Sequence, residues 1–281
     1  MSRMTDQEYL LSKQYRDEAN LDARKALHRR FSTNPTGWFR WLFDQLDLSA
    51  RSQMLEVGCG PGDLWLENLE RIPTGWHVTL SDFSPGMVQK AQENLRQYSR
   101  GFAFRIIDAQ SIPCEDERFD AVLANHMLYH VPDREKALSE IKRVLKPHGR
   151  VYASTVGRAH LLELHDLVRQ VSPTAFFGNE NPCEPFLLDN GEAQLSRWFV
   201  GVKLRRYEDD LVITEAAPLI AYVLSTTARA DLSCDKLTAL RRLVERRLCY
   251  RGAIRVTKDS GLFEAIRDAG QSPADGGLVR E

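Results

Sequence analysis

Leu55-Glu56-Val57-Gly58-Cys59-Gly60-Pro61-Gly62 joins the end of an apolar run to three closely spaced glycines. A glycine has no Cβ to obstruct a sharp strand-to-helix turn or the close approach of a ligand to the backbone. The helix that follows such a turn presents unpaired N–H groups to whatever binds there. Taken by itself the pattern is weak, because glycine-rich strand-helix turns serve many nucleotide folds and some are only tight turns. Its neighbours carry the rest of the reading.

Downstream, short apolar runs alternate with helical patterns, as βαβ units feeding a parallel sheet require. The spacing predicts strands over 54–57, 77–80, 102–107, 119–124 and 149–154, and helices over 63–71, 85–98, 134–145 and 160–171. Ser84-Pro85 reads as an N-cap followed by proline in the first turn, and Lys146-Pro147-His148-Gly149 as a helix stop. Past residue 157 the regularity ends. The prolines and glycines of 172–192 predict a loop, then a short helix over 193–200, a strand over 202–207, helices over 216–228 and 237–248, and a returning strand from 254–257 with 262–266. Upstream, residues 1–48 read as a helical arm: Tyr9, Tyr15, Leu27 and Phe31 recur at roughly helical spacing, and Trp38 to Leu46 form a second apolar stripe after Asn34-Pro35.

The ends of the predicted strands are polar. Glu56 sits at the first, Asp82 ends the second, Asp108-Ala109 the third and Asn125-His126 the fourth, all at the rim where open parallel sheets collect ligands. At that rim Asp82 can accept hydrogen bonds from both hydroxyls of a ribose, and Asp108 from an exocyclic amine. A dinucleotide fingerprint would need Gly-x-Gly-x-x-Gly, but Asp63 follows Gly62 and puts a carboxylate where a pyrophosphate must approach. Asp63 and Glu56 suit a cationic ligand better.

The run Leu55 to Gly62, then Asp82-Phe83-Ser84-Pro85-Gly86-Met87, then Asp108-Ala109, then Phe119-Asp120 leading into Asn125-His126-Met127-Leu128-Tyr129-His130-Val131-Pro132-Asp133, resembles class I S-adenosylmethionine-dependent methyltransferases. The likeness is to the small-molecule branch, with a type 11/25-like, ubiquinone/menaquinone-methyltransferase-like core over about residues 52–157. The Tyr9 to Phe31 arm adds a likeness to antibiotic-tailoring N-methyltransferases. The resemblance implies an α/β, Rossmann-like seven-stranded methyltransferase sheet with helices on both faces and an antiparallel last strand. It also implies an N-terminal helical lid over 1–50, a core over 51–208 and 252–270, a helical substrate-cap insertion over 209–251 between the last two strands, and a flexible tail over 271–281.

Carried over by residue, the resemblance gives Glu56, Gly58 and Gly60 the methionine part of the cofactor, Asp82 its ribose, Met87 the adenine face, Asp108 with Ala109 the adenine edge, and Asn125 the sulfonium end. Met87 reads equally well as a core methionine. Candidates for a general base are His126 and His130, just past the fourth strand, each of which reads equally well as structural. In the arm, the Tyr15 ring is a candidate for the cofactor or the reaction, since aromatic faces hold cations. Around it Arg24, His28, Arg29 and Arg30 could meet an acidic substrate group, although a solvated basic face is the commoner reading.

Lys and Arg number 38 and Asp and Glu 39, so there is no broad positive field to gather nucleic acid or an anionic membrane. Five scattered cysteines without a Cys-x-x-Cys pair speak against a structural metal and for a reducing compartment. No apolar run reaches signal-peptide or membrane-spanning length. The sequence thus leads to a cytoplasmic enzyme using S-adenosylmethionine and no metal to methylate N or O of a small metabolite or natural product, and it is compatible with a homo-oligomer. A methyltransferase acting on RNA or protein, and a non-catalytic cofactor-binding scaffold, remain open.

Overall fold

β1 (Arg51–Val57), the strand that enters the glycine turn, alternates its side chains between two apolar layers. Leu55 and Val57 enter one buried cluster and Met54 another. A strand covered on both faces must satisfy its backbone through neighbours in the sheet. These are β2 (Gly75–Asp82) on one side and β4 (Phe119–Asn125) on the other, both parallel to β1. The computed structural model describes residue 5 and residues 19–98, 101–175 and 186–269. Within these, β3 (Phe102–Ile106), β5 (Leu145–Val156), β6 (Val200–Ile213) and β7 (Ile254–Ile266) complete a seven-stranded sheet of order β3-β2-β1-β4-β5-β7-β6. Only β7 runs against the rest, pairing antiparallel with β5 and β6 as the resemblance implies. The chain steps outward from β1 to β3 and then returns to β4, so the switch point that opens a crevice lies between β1 and β4.

Helices cover both faces. α1 (Ala19–Phe31) and α2 (Trp38–Asp44) form the arm, followed by α3 (Asp63–Leu66), α4 (Pro85–Leu95), α5 (Arg134–Val144), α6 (Leu162–Arg169), α7 (Gly191–Leu195), α8 (Ala216–Leu224) and α9 (Cys234–Arg251). On one face Leu138 and Ile141 of α5 pack on Val122 and Val151, and on the other Leu42, Trp65 and Leu95 pack on Met54, Leu80 and Tyr152. A third cluster joins Leu27 and Phe31 of α1 to α6, α8, α9 and the outer ends of β6 and β7. Phe31 is therefore a buried packing residue of the arm.

Several boundaries differ from the sequence reading, for local reasons. The helix expected over 63–71 is broken after Leu66, because the buried Asn68 side chain donates to Leu64 O at 2.7 Å and Phe39 O at 3.1 Å, and a 3-10 turn follows at Leu69–Arg71. That over 160–171 starts at Leu162, since Leu161 has a left-handed φ of 59°. β5 starts at Leu145 instead of 149. Lys146-Pro147-His148-Gly149, read as a helix stop, is a register shift inside this strand opposite Asp120, with His148 at φ 62°. α7 ends at Leu195, short of residue 200, and α8 at Leu224, short of 228. α9 begins at Cys234, where Ser233 Oγ accepts the Lys236 N–H at 3.3 Å.

β6 continues to Ile213, past the 202–207 expected of it, and pairs Glu208–Ile213 with Ile254–Asp259 of a single unbroken β7. The residues between them, 214–253, carry α8, a 3-10 turn at Thr227–Asp231 and α9. Tyr9, Tyr15, Phe176, Phe177 and the 271–281 tail lie outside the described residues.

Ser84 caps α4 as read, its Oγ accepting the Met87 N–H at 3.4 Å while itself buried. Ser84→Ala is expected to cost about 1 kcal/mol, seen in scanning calorimetry as a melting point lower by roughly 2–4 °C.

Candidate active site

The carboxyl ends of β1, β2 and β4 and the segment after β3 open onto one cavity of about 700 Å³, roofed by α1 and the start of α2. Glu56, Gly58, Gly60, Asp82, Met87, Asp108, Ala109, Asn125, His126 and His130 all line it. Of the sequence candidates only Tyr15 is not placed, being outside the described residues.

Glu56 is 2% exposed, and its two carboxylate oxygens are held apart: Trp65 Nε1–H donates to Oε2 at 2.5 Å and Asn125 Nδ2 to Oε1 at 2.7 Å. Burial raises its pKa to about 7, against the pull of those two donors. Asp82 organises the neighbouring turn. Its Oδ2 accepts the Gly60 N–H at 3.0 Å and its Oδ1 the Ser84 N–H at 2.9 Å, and burial again pushes its pKa up. Asp108 accepts the backbone and side-chain N–H groups of Gln110 at 2.9 and 3.0 Å, while Gln110 Oε1 accepts the Asp133 N–H at 3.0 Å. That carboxylate therefore also ties the β3 exit to the cap of α5.

The glycines divide the work. At Gly58, φ +71°, an added Cβ would fall 2.8 Å from Met127 Cβ, so this position is closed by packing. At Gly60, φ +53°, the same construction meets nothing within 4 Å. Gly60 thus offers bare backbone to the cavity. Met87 is 4% exposed and yet lines the cavity, so its packing and pocket readings coexist. Asp63, at the first turn of α3, forms an ion pair with Lys25 of α1 that clamps the arm to the rim.

His126 takes a left-handed φ of 48°, with its N–H directed to Ser154 O at 3.2 Å and its ring 5.0 Å from that of Trp38. Burial, with Lys258 and His130 nearby, lowers its pKa to about 4, so it is a neutral imidazole at pH 7. His130 sits in the 3-10 turn Leu128–His130, its ring edge-on to Tyr129 at 4.5 Å. The sequence reading missed Trp65, Gln110, His160, Lys258 and Ser260. An aromatic nine positions past Glu56 reads as plain core, and nothing local marks Lys258 as facing a site formed by β1 and β4.

Residues 55–153 match the methyltransferase domain family. Methyltransferase GfsG of Streptomyces halstedii is 34% identical over 116 residues, 39% of this chain and 40% of that protein. A ubiquinone/menaquinone biosynthesis C-methyltransferase, UbiE of Geotalea daltonii, is 31% identical over 116 residues, 41% of this chain and 49% of that protein. The chain thus spans less than half the length of these curated relatives. Among solved structures, phosphoethanolamine N-methyltransferase 2 of Haemonchus contortus in complex with S-adenosyl-L-methionine superposes with a TM-score of 0.58 at 19% identity, over 95% of this chain and 60% of that one. YcgJ of Bacillus subtilis gives 0.55 at 18% identity, over 83% and 98%. Residues 55–153 thus match a methyltransferase domain, and the seven-stranded sheet around them has the fold of solved structures that include one holding S-adenosyl-L-methionine.

The cavity suits that cofactor. Gly60 leaves room against its backbone, and Glu56, Asp63 and Asp82 line the same wall with carboxylates, an acceptable environment for a cationic ligand.

Proposed function

We propose that the protein is an S-adenosylmethionine-dependent methyltransferase acting on a small molecule. One observation carries the reading: consecutive strand ends deliver Glu56, Asp82, Asp108 and Asn125 to a single cavity whose floor at Gly60 is open backbone. In this reading Asp82 accepts the ribose hydroxyls, and Asp108 with the Ala109 backbone meets the adenine edge over Met87. Glu56, Gly58 and Gly60 hold the amino-acid end, and Asn125 stands by the reacting centre.

When bound, the cofactor supplies a methyl group on a cationic sulfur, open to in-line displacement. The chain supplies alignment, a dry enclosure and charge. Trp65 and Asn125 hold both carboxyl oxygens of Glu56 in position, and because burial raises its pKa to about 7, an arriving ammonium or sulfonium favours the ionised form that balances it. The arm excludes water: Lys25 ties α1 to Asp63, and Trp38 at the start of α2 covers His126. A role for the ring of Tyr15, upstream of α1 in sequence, against the cofactor or in the reaction is part of this proposal. So are His126 or His130 as the group that accepts a proton from the substrate.

The test is to incubate the purified chain with S-adenosylmethionine carrying a labelled methyl group and a small-molecule extract of its source organism, and to identify the labelled product by mass. A labelled small molecule is expected. Cofactor binding without any labelled product would favour a scaffold, and label appearing only in added RNA or protein would overturn the acceptor class.

A further inference from the structure

Besides the carboxylate-bearing strand ends, the cavity has a second group of lining residues, a second wall whose pieces come from four remote parts of the chain. Lys258 and Ser260 belong to β7, His160 to the segment before α6, His126 to the end of β4, and His28 and Ser32 to the arm. Lys258 forms an ion pair with Asp209 of β6; the lysine side chain is 7% exposed and the carboxylate not at all. Asp209 does not line the cavity. Its Oδ1 accepts the N–H groups of Thr33 and Asn34, both at 2.9 Å, and its Oδ2 the hydroxyl of Ser32 at 2.6 Å. The carboxylate is therefore shared between the Lys258 ammonium and the link between α1 and α2, and of this buried pair only the ammonium lines the cavity.

Around Lys258 stand neutral imidazoles. His160 Nδ1 accepts the Asp259 N–H at 3.2 Å, so the neutral ring carries its proton on Nε2. The His28 ring lies 6.2 Å from that of His160 at 25°, edge-on to Tyr222 at 5.8 Å, and its buried Nδ1 has no hydrogen-bond partner among the described residues. Burial and the Lys258 charge keep His28, His126 and His160 unprotonated. The other charged or titratable groups facing this corner are Arg24 of α1 and His130 beside His126, and the Tyr207 ring lies 5.2 Å from Lys258 Nζ. The lining carboxylates Glu56, Asp63, Glu67, Asp82 and Asp108 belong to the ends of β1, β2 and β3 and to α3 with its exit, and α1 adds the cations Arg24, Lys25 and Arg29, with Lys25 paired to Asp63. The β7 side, by contrast, carries no lining carboxylate among the described residues and offers the Lys258 ammonium beside imidazoles.

We propose that this second wall binds the acceptor substrate through an acidic oxygen, that of a phenol or enol, held as its anion against the Lys258 ammonium and the surrounding imidazoles. The inference rests on the methyltransferase reading and narrows its substrate. The hydroxyl proton passes to His126 or His130 and from there to solvent. An electron pair of the oxygen then forms the bond to the methyl carbon as the carbon–sulfur bond breaks, its pair staying on sulfur, so that a cation and an anion become a neutral thioether and a neutral ether. An acceptor arriving as an ammonium would place a second cation beside Lys258 and is disfavoured.

4-Nitrophenol, whose anion is coloured, tests this directly on the full chain saturated with S-adenosylhomocysteine. Saturable binding is expected, with the bound probe ionising about one pH unit below the free one, equivalent to tenfold more anion at a given pH. Lys258→Arg should keep the shift and Lys258→Gln abolish it. Because Lys258→Gln strands the buried Asp209, the double variant with Asp209→Asn removes both charges together and should also lack the shift. Absence of probe binding, ionisation at or above the free value, or a shift that survives in either variant lacking Lys258 overturns the proposal. Calorimetry of S-adenosylhomocysteine on the same samples separates the two readings: if that ligand fails to bind, the methyltransferase reading falls, and if it binds while the probe shows no shift, only the acceptor assignment falls.

Discussion

Asp82→Ala is expected to weaken the binding of S-adenosylmethionine by about a hundredfold or more. The Asp82 carboxylate bridges the two turns that shape the cofactor side, accepting from Gly60 at 3.0 Å on one oxygen and from Ser84 at 2.9 Å on the other. A hydrogen bond to a charged group contributes roughly 1.5–3 kcal/mol, and about 1.4 kcal/mol is tenfold in affinity. Loss of the two turn contacts together with those to a ribose therefore exceeds two powers of ten. Asp82→Asn should fall between, because an amide keeps one acceptor but turns an N–H toward the other donor. The fold should persist, since the neighbouring β2 residues Leu80 and Ser81 stay buried whichever residue follows them. Isothermal titration of the folded variants decides, and unchanged affinity would remove Asp82 from the site.

The strand-end half of the cavity was legible in the sequence because each of its parts is encoded locally. A glycine turn, a capped helix start and a polar residue at the end of an apolar run can each be read within about ten positions, and a parallel sheet then brings such ends to one rim. The second wall has no such signature. Glu208, Asp209 and Asp210 look like the polar end of a strand, yet they pair with Asp259, Lys258 and Thr257 inside the β6–β7 ribbon. They stay in the strand because the Asp209 charge is neutralised by Lys258 and by donors from the arm, contacts separated by 49 and up to 177 positions. The break after Leu66 was hidden for a related reason: Asn68 competes with the helix backbone only because Phe39 of the arm supplies a second carbonyl. Helical periodicity also could not tell where β7, with its Lys258, Asp259 and Ser260, would remain extended, since its pairing partner lies across an insertion.

Acid should unfold the apo protein well above the pH at which its carboxylates titrate. His28, with a pKa lowered to about 3, His126 and His165, each lowered to about 4, and His160, well below its ordinary value, are all depressed first by burial. In the unfolded chain each would titrate near 6.5. Between these limits the unfolded state holds the extra protons, so these four groups favour the folded chain above pH 6.5 and withdraw that stability as the pH falls toward 4. Glu56 works the other way. Its folded pKa, raised by burial to about 7 from 4.5, lets the folded chain hold a proton that the unfolded chain has released, so its contribution is lost as the pH rises through that interval. Near pH 5.5 four protons taken up by histidines on unfolding are opposed by one released from Glu56, a net uptake of about three and a slope of roughly 4 kcal/mol per pH unit at most. Urea unfolding between pH 7 and 5 should therefore show a midpoint that drops steeply with acid, and Glu56→Gln should steepen the slope by about one proton even though it lowers stability by mismatching Trp65 or Asn125. A midpoint that holds steady or rises over that range would mean that the imidazoles lining the second wall are hydrated and protonated, and with them would go the neutral, donor-rich surface on which an oxyanion could rest.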